Sequence, residues 1–112
     1  MNVGDLYWVE LPMRGGHAQT GRRPAVVVQK TSSLSTVLLV PLTSQLDTLR
    51  FPGTVLITKT LGNGLRQDSV ALVFQLAATD KRYLTGALGV LADSVMEQIW
   101  QRLDELTGRT QP

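Results

Sequence analysis

The side chains best suited to chemistry in this 112-residue chain crowd into one stretch, Gly15 to Val28, where a glycine pair, the only histidine and two arginines precede Pro24 and an apolar run. Arg22 and Arg23 carry planar guanidinium forks that match phosphate oxygens. Pro24 disfavours the α region for Arg23, and Ala25-Val26-Val27-Val28 is β-branched enough to be a buried strand. Arg23 then stands at the base of a rigid element, while Gly15, Gly16 and Gly21 let the preceding loop bend against a ligand. A solvated strand entrance is the other reading of the same arginines. His17 has the one side chain whose ordinary pKa, about 6.5, suits proton transfer near neutrality; a surface histidine without a role is the alternative. Thr43 follows Pro41, which cannot donate to a ladder, so Thr43 is expected where pairing breaks. Its hydroxyl either holds a ligand oxygen or bonds its own backbone.

Those candidates sit in a chain with no cysteine, which excludes a disulfide framework, a thiol nucleophile and a zinc–thiolate site and fits a cytoplasmic protein. One histidine and no cysteine build no protein metal cage, and no cofactor is called for, although carboxylate-held magnesium stays open. A net charge of +2 permits an anionic partner without requiring one. Neither a leader pattern nor an apolar run approaching the roughly 18 residues of a membrane span is present. The length predicts a single domain, 1–112.

The elements that must position the candidates read as short strands closed by one helix. Asp5 to Leu11 alternates as a first strand, with Leu6, Trp8 and Glu10 on one face and Tyr7, Val9 and Leu11 on the other, ended by Pro12. Met13 to Arg22 is a long loop, Ala25 to Gln29 a second strand buried on both faces, and Lys30 to Ser35 a polar connection. Thr36 to Leu42 and Phe51 to Ile57 are the third and fourth strands. Asn63-Gly64 signals a turn before a fifth strand, Ser69 to Gln75. Ala77 to Tyr83 is a polar excursion with room for a helical turn, and Leu84 to Leu91 returns as a strand. Val95, Ile99, Leu103 and Leu106 make a helical stripe widened by Met96 and Trp100; Ser94 with Glu97 predicts a capping box and Gly108 a stop. Thr110 to Pro112 are expected to fray. Many strands and one helix predict a mainly β fold with α: a strongly bent antiparallel sheet or barrel with a packed C-terminal helix.

The chain resembles the MazF/PemK family of toxin endoribonucleases, which includes the Kid toxin. The resemblance runs from Gly4-Asp5-Leu6-Tyr7-Trp8-Val9 through Gln19, Gly21-Arg22-Arg23-Pro24, Val40-Pro41-Leu42-Thr43-Ser44, Gly64-Leu65, Asp68-Ser69-Val70, Gln75 and Asp80 to Gly89. Each piece is weak alone, and their order and spacing make the signal specific. The resemblance implies an SH3-like barrel with helical additions and metal-free cleavage of single-stranded messenger RNA, independent of the ribosome, by the ribose 2′-hydroxyl. It further implies a symmetric homodimer with an RNA groove across its interface, and a small antitoxin whose acidic or amphipathic tail occupies that groove.

Such cleavage needs a base for the 2′-proton, an acid for the departing 5′-oxygen and donors for the phosphorane charge. Arg23 matches the catalytic arginine of the MazF branch; a guanidinium does not readily give up a proton, so its suited role is phosphorane stabilisation. Thr43 matches the catalytic threonine, and His17 a histidine that the Kid branch uses. Gln19, Arg22, Ser44, Gln75 and Lys81 are the RNA-binding candidates, although Gln75 also reads as a buried amide tying strands. Lys30, Lys59, Arg66 and Arg82 either track phosphates or are solvated. Trp8 either stacks a base or, as its clean alternation favours, belongs to the core. Three positions depart from the family: Ala18 where a glutamate is usual, Phe74 where an aspartate is usual, and Leu72 where Kid has an arginine. Kid's acid–base pair is therefore absent, leaving Arg23, Thr43 and His17 to carry catalysis. The rival reading is a non-enzymatic toxin of the related CcdB type, which poisons DNA gyrase, or a degenerate toxin that binds without cutting.

Overall fold

The computed structural model describes residues 1–11, 21–30 and 33–110. The expectations at Pro12, Gly15, Gly16, His17, Ala18, Gln19 and the last two residues lie outside these. Seven strands, β1 (Asp5–Leu11), β2 (Gly21–Val27), β3 (Thr36–Thr43), β4 (Thr54–Ile57), β5 (Ser69–Leu72), β6 (Ala77–Asp80) and β7 (Leu84–Val90), precede one helix, α1 (Asp93–Thr107). The sheet runs β4-β5-β3-β2-β1-β7, with β6 also on β3, and every pairing is antiparallel. This is the expected mostly antiparallel fold with a C-terminal helix. No described helix is long and apolar enough to cross a membrane.

Strand β3 is the hinge of the sheet. One edge pairs with β2 from Leu39 to Pro41. Its other edge pairs with β6 through Thr36 to Leu39 and then with β5 at Leu42 and Thr43. Val40 and Pro41 fall in the gap between those two partners, where a residue without an N–H breaks no ladder bond.

Alternation along the central strands sends apolar side chains to both faces. Val26, Val40 and Leu42 join Leu6, Ile57, Met96 and Ile99 in the core under the helix. Ala25, Val27, Val37 and Leu39 join Val9 in a second core on the opposite face, closed by Tyr7, Tyr83 and Leu84. The two-sided burial read from Ala25-Val26-Val27 is therefore present.

Several boundaries move for identifiable reasons. Strand β2 starts at Gly21 rather than Ala25, because Arg22, Arg23 and Pro24 pair with Glu10, Val9 and Trp8 of β1. Strand β4 starts only at Thr54: Pro52 lacks a donor and Gly53 has φ +75°. The Gly53 carbonyl then accepts the Val73 and Phe74 N–H groups, so β5 stops at Leu72 and Val73–Gln75 turns into a 3-10 helix. Another 3-10 helix, Leu46–Arg50, forms where the sequence pattern predicts no element. Ala77–Asp80 is a strand because β3 offers it an edge, and the expected helical turn follows at Lys81–Tyr83.

The predicted capping box does not form. Leu91 is buried and its N–H donates to the Gly4 carbonyl, which holds the chain extended through Ala92 and starts the helix at Asp93. Ala92 is the N-cap and offers no side-chain acceptor. Gly108 ends the helix in the left-handed region at φ 79°, as expected. Leu106, placed on the buried stripe by periodicity, is exposed. Supplying the missing acceptor should stabilise the fold: Ala92→Ser is expected to add about 0.5–2 kcal/mol in urea unfolding, with the slope unchanged.

Candidate functional site

The β2–β3 ladder ends at Ala25 opposite Pro41. The next β2 residue, Pro24, has no N–H with which to extend it. Carrying the register two residues further sets Arg23 opposite Thr43, on the same face of the opened strand pair. A pocket of about 290 Å³ occupies this mouth and is lined by both residues, with Ser44 beside them and Leu42 and Pro24 beneath. Thr43 is only 5% exposed. Its Oγ1 accepts the Gln45 N–H at 3.2 Å, which leaves the hydroxyl proton to be donated to a ligand. The hydroxyl thus combines the local bond expected of a strand-end threonine with a place in the pocket.

The opposite wall comes from Gly64, Leu65, Arg66 and Gln67, in the loop joining β4 to β5. Asn63 organises that loop. Its Oδ1 accepts the N–H groups of Thr60 and Leu65, both at 3.0 Å, and its Nδ2 donates to the Thr58 carbonyl at 3.0 Å. Gly64 takes φ +70°, and a Cβ there would overlap the Leu88 carbonyl oxygen of β7. The Val90 N–H donates to the Gly62 carbonyl at 3.0 Å, so the loop lies backbone against backbone on β7. Arg66, two residues after Gly64, thereby joins Arg23 in the lining of the pocket.

Trp8 completes the site, against the expectation that it belongs to the core. It is half-buried and lines the pocket, with the Arg22 guanidinium carbon 4.5 Å from its ring centroid. Trp8 and Glu10 share a face with their β1–β2 partners Pro24 and Arg22, which makes Arg22 the diagonal neighbour of Trp8, within reach of a long side chain. Three guanidiniums, those of Arg22, Arg23 and Arg66, therefore bound the pocket, and among the described residues no carboxylate lines it. The lining is therefore positively biased, which favours an anion. Among the described residues, no three of His, Cys, Asp and Glu stand together as metal ligands.

The remaining candidates are dispersed. His17 and Gln19 lie outside the described residues. Gln75 lines a separate apolar groove of about 600 Å³ with Phe51, Pro52, Phe74 and Leu106. Lys81 begins the 3-10 turn at the other end of β3, where its N–H donates to the Ser35 carbonyl. Seven residues of strand separate that end from Thr43, about 23 Å at the usual rise per residue. Arg66, left by its sequence between phosphate tracking and solvation, lines the pocket, and so do Gln67 and Ser69, which carry no sequence signal of a site role. The Asn63-Gly64 turn signal just before them was the available clue.

The family model of the PemK-like, MazF-like toxin of type II toxin–antitoxin systems matches residues 2–107. Among curated proteins, the chain is 31% identical over 107 residues to the endoribonuclease MazF of Staphylococcus saprophyticus, covering 93% of this chain and 88% of that one. It is 30% identical over 99 residues to the endoribonuclease MazF2 of Mycobacterium bovis, covering 85% and 86% respectively. Among solved structures, MazF from Deinococcus radiodurans superposes with a TM-score of 0.82 at 25% identity, over 96% of each chain.

The loop's dependence on Asn63 is measurable. Asn63→Ala leaves the Thr60 and Leu65 N–H groups and the Thr58 carbonyl without their partner, and is expected to cost about 1–3 kcal/mol in urea unfolding.

Proposed function

The chain belongs to the PemK-like, MazF-like toxins of type II toxin–antitoxin systems, and on that basis we propose that it is the toxin of such a pair: a ribosome-independent endoribonuclease that cuts single-stranded messenger RNA at a short recognition sequence. The observation that carries this reading is the opened end of the β2–β3 ladder, where Arg23 and Thr43 meet in one pocket with Arg66 also in its lining.

In the proposed reaction, the ribose 2′-oxygen attacks the adjacent phosphorus as its proton passes to a base, and the bond to the 5′-oxygen breaks as that oxygen takes up a proton. The products are a 2′,3′-cyclic phosphate and a 5′-hydroxyl. The Arg23 guanidinium, permanently charged, stabilises the phosphorane oxygens. Thr43 donates its hydroxyl proton to a phosphate oxygen or to the attacking group. Arg66 neutralises a neighbouring phosphate, and Arg22 and Ser44 hold the strand. His17 is the proposed proton carrier, with Gln19 beside it in sequence as an RNA contact. Gln75 and Lys81 stand away from this pocket and are assigned to flanking stretches of RNA. Because guanidiniums supply the positive charge, cleavage is proposed to proceed without a metal.

The remaining expectations complete the reading. One domain spans 1–112, works in the cytoplasm as a homodimer and is neutralised by a cognate antitoxin with an acidic or amphipathic tail. The antitoxin is supported by the fold shared with a mycobacterial endoribonuclease solved with its cognate antitoxin, which superposes with a TM-score of 0.78 at 21% identity over 100% of this chain and 99% of that one. The dimer is supported by the exposed apolar groove, where the Phe51 and Phe74 rings meet edge to face at 6.4 Å beside the exposed Leu106. No observation favours the gyrase-poisoning alternative.

Two measurements test the reading. Purified protein incubated with long single-stranded RNA in excess EDTA should cut at a short repeated sequence and leave 2′,3′-cyclic phosphate ends. Arg23→Ala and Thr43→Ala should each slow cutting by about a hundredfold or more; cutting that survives Arg23→Ala would sink the assignment. In sedimentation velocity, wild type should run as a dimer and Phe74→Lys should shift toward the monomer mass.

A further inference from the structure

We propose that Arg22 and Trp8 form a stacking platform for one nucleobase next to the phosphate site, so that base, guanidinium and indole make three layers. The proposal rests on the reading that the pocket takes single-stranded RNA, and it assigns base recognition to a definite pair of side chains.

Four observations lead to it. First, the Arg22 guanidinium lies over the Trp8 ring at 4.5 Å and, among the described residues, makes no ion pair with Glu10, although Glu10 is its direct register partner. A guanidinium laid on an indole keeps its other face and its N–H edge available. Second, Arg22 is exposed while Trp8 is half-buried, so the outer layer of the pair is the one that a ligand meets. Third, Leu65, Leu88 and Gln67 line the same pocket as Trp8. A lining that mixes these apolar residues with arginines and hydroxyls can take the flat heterocycle of a nucleotide as well as its phosphate, and about 290 Å³ is at the small end of ligand sites, the scale of a single nucleotide.

The fourth observation is the strand geometry. Arg22 and Arg23 are consecutive in β2 and therefore project to opposite faces, Arg22 toward Trp8 and Arg23 toward Thr43. Both line the same mouth because the ladder has opened there. A nucleotide likewise sends its base one way and its phosphate the other, so adjacent residues hold its two ends. Bases stack on guanidinium planes as on aromatic rings, which lysine cannot reproduce.

That difference between a plane and a point charge supplies the test. The probes are 2′-O-methyl hexanucleotides of each of the four bases, which have no 2′-hydroxyl to attack with, carrying a 3′-fluorescein for anisotropy. Trp100→Phe leaves Trp8 as the only indole. In that background, Trp8 emission should change saturably as the probe binds. Arg22→Lys keeps the charge and should still weaken binding about tenfold or more while the dependence on salt stays the same; Trp8→Leu should do likewise. On cleavable RNA, Arg22→Lys should relax base preference at one position beside the cut. Wild-type affinity and base preference in Arg22→Lys would overturn the stack, and so would unchanged Trp8 emission at saturating probe. Arg22 is exposed, so its lysine variant decides the matter even if Trp8→Leu fails to fold. If wild type cuts RNA and the stack variants match it, the stack alone fails; if wild type neither binds nor cuts, the nuclease reading fails with it.

Discussion

Everything at the site depends on β3 changing partners along one edge. A strand shared by β6 and then β5 must bend between them, and the bend falls at Val40-Pro41, where the missing N–H removes the reason to stay straight. Across the sheet, Pro24 ends the pairing of β2 with the same strand. Two prolines on facing strands therefore open the ladder at one end, and a pocket forms where a continuous sheet would have left none. The two cores hold the rest of both strands rigid, since Val26, Val27, Leu39, Val40 and Leu42 are almost fully buried. The opening is thus confined to one end.

That confinement shapes the chemistry. Three arginines and no carboxylate, among the described residues, give the lining of this small pocket a positive balance that favours an anion. Their placement differs in rigidity. Arg23 rides a strand locked between two cores, and Arg66 rides a loop pinned by Asn63 and packed backbone to backbone on β7. Donors held in place before the substrate arrives need no reorganisation during reaction, which is where electrostatic stabilisation is most effective. Arg22 is held instead by a ring, which orients its plane as well as its charge.

Local signals were read well where local physics decides. Pro41 at a break in pairing, Gly108 as a left-handed stop and the buried Ala25-Val26-Val27 run all follow from the covalent character or size of single residues. Signals that depend on neighbours distant in sequence were read less well. Ser94 and Glu97 carry a capping pattern, but the bond from Leu91 to Gly4 starts the helix earlier. Trp8 alternates as a core residue should, yet its neighbours on the two flanking strands are Pro24 and Gly86, and it is only half-buried. Phe51 and Val73 look like strand residues, but the Phe51 N–H donates to the Thr48 carbonyl, and the Gly53 carbonyl accepts from Phe74 as well as Val73, where β5 turns into a 3-10 helix.

By itself, the sequence determined the order of strands and helix and the pairing of each candidate side chain with a backbone break: Arg23 before Pro24, Thr43 after Pro41. Such features need only a few consecutive residues, because proline geometry, glycine freedom and hydrophobic alternation act over that range. Only the tertiary structure decided which of the chain's cations share a pocket. Arg66 and Trp8 are far from Thr43 along the chain and beside it in space, whereas Lys81 adjoins the same strand at its far end and Gln75 faces another groove. Charge and residue type carry no record of distance; sheet order and register do, and both were settled when β3 took three different partners.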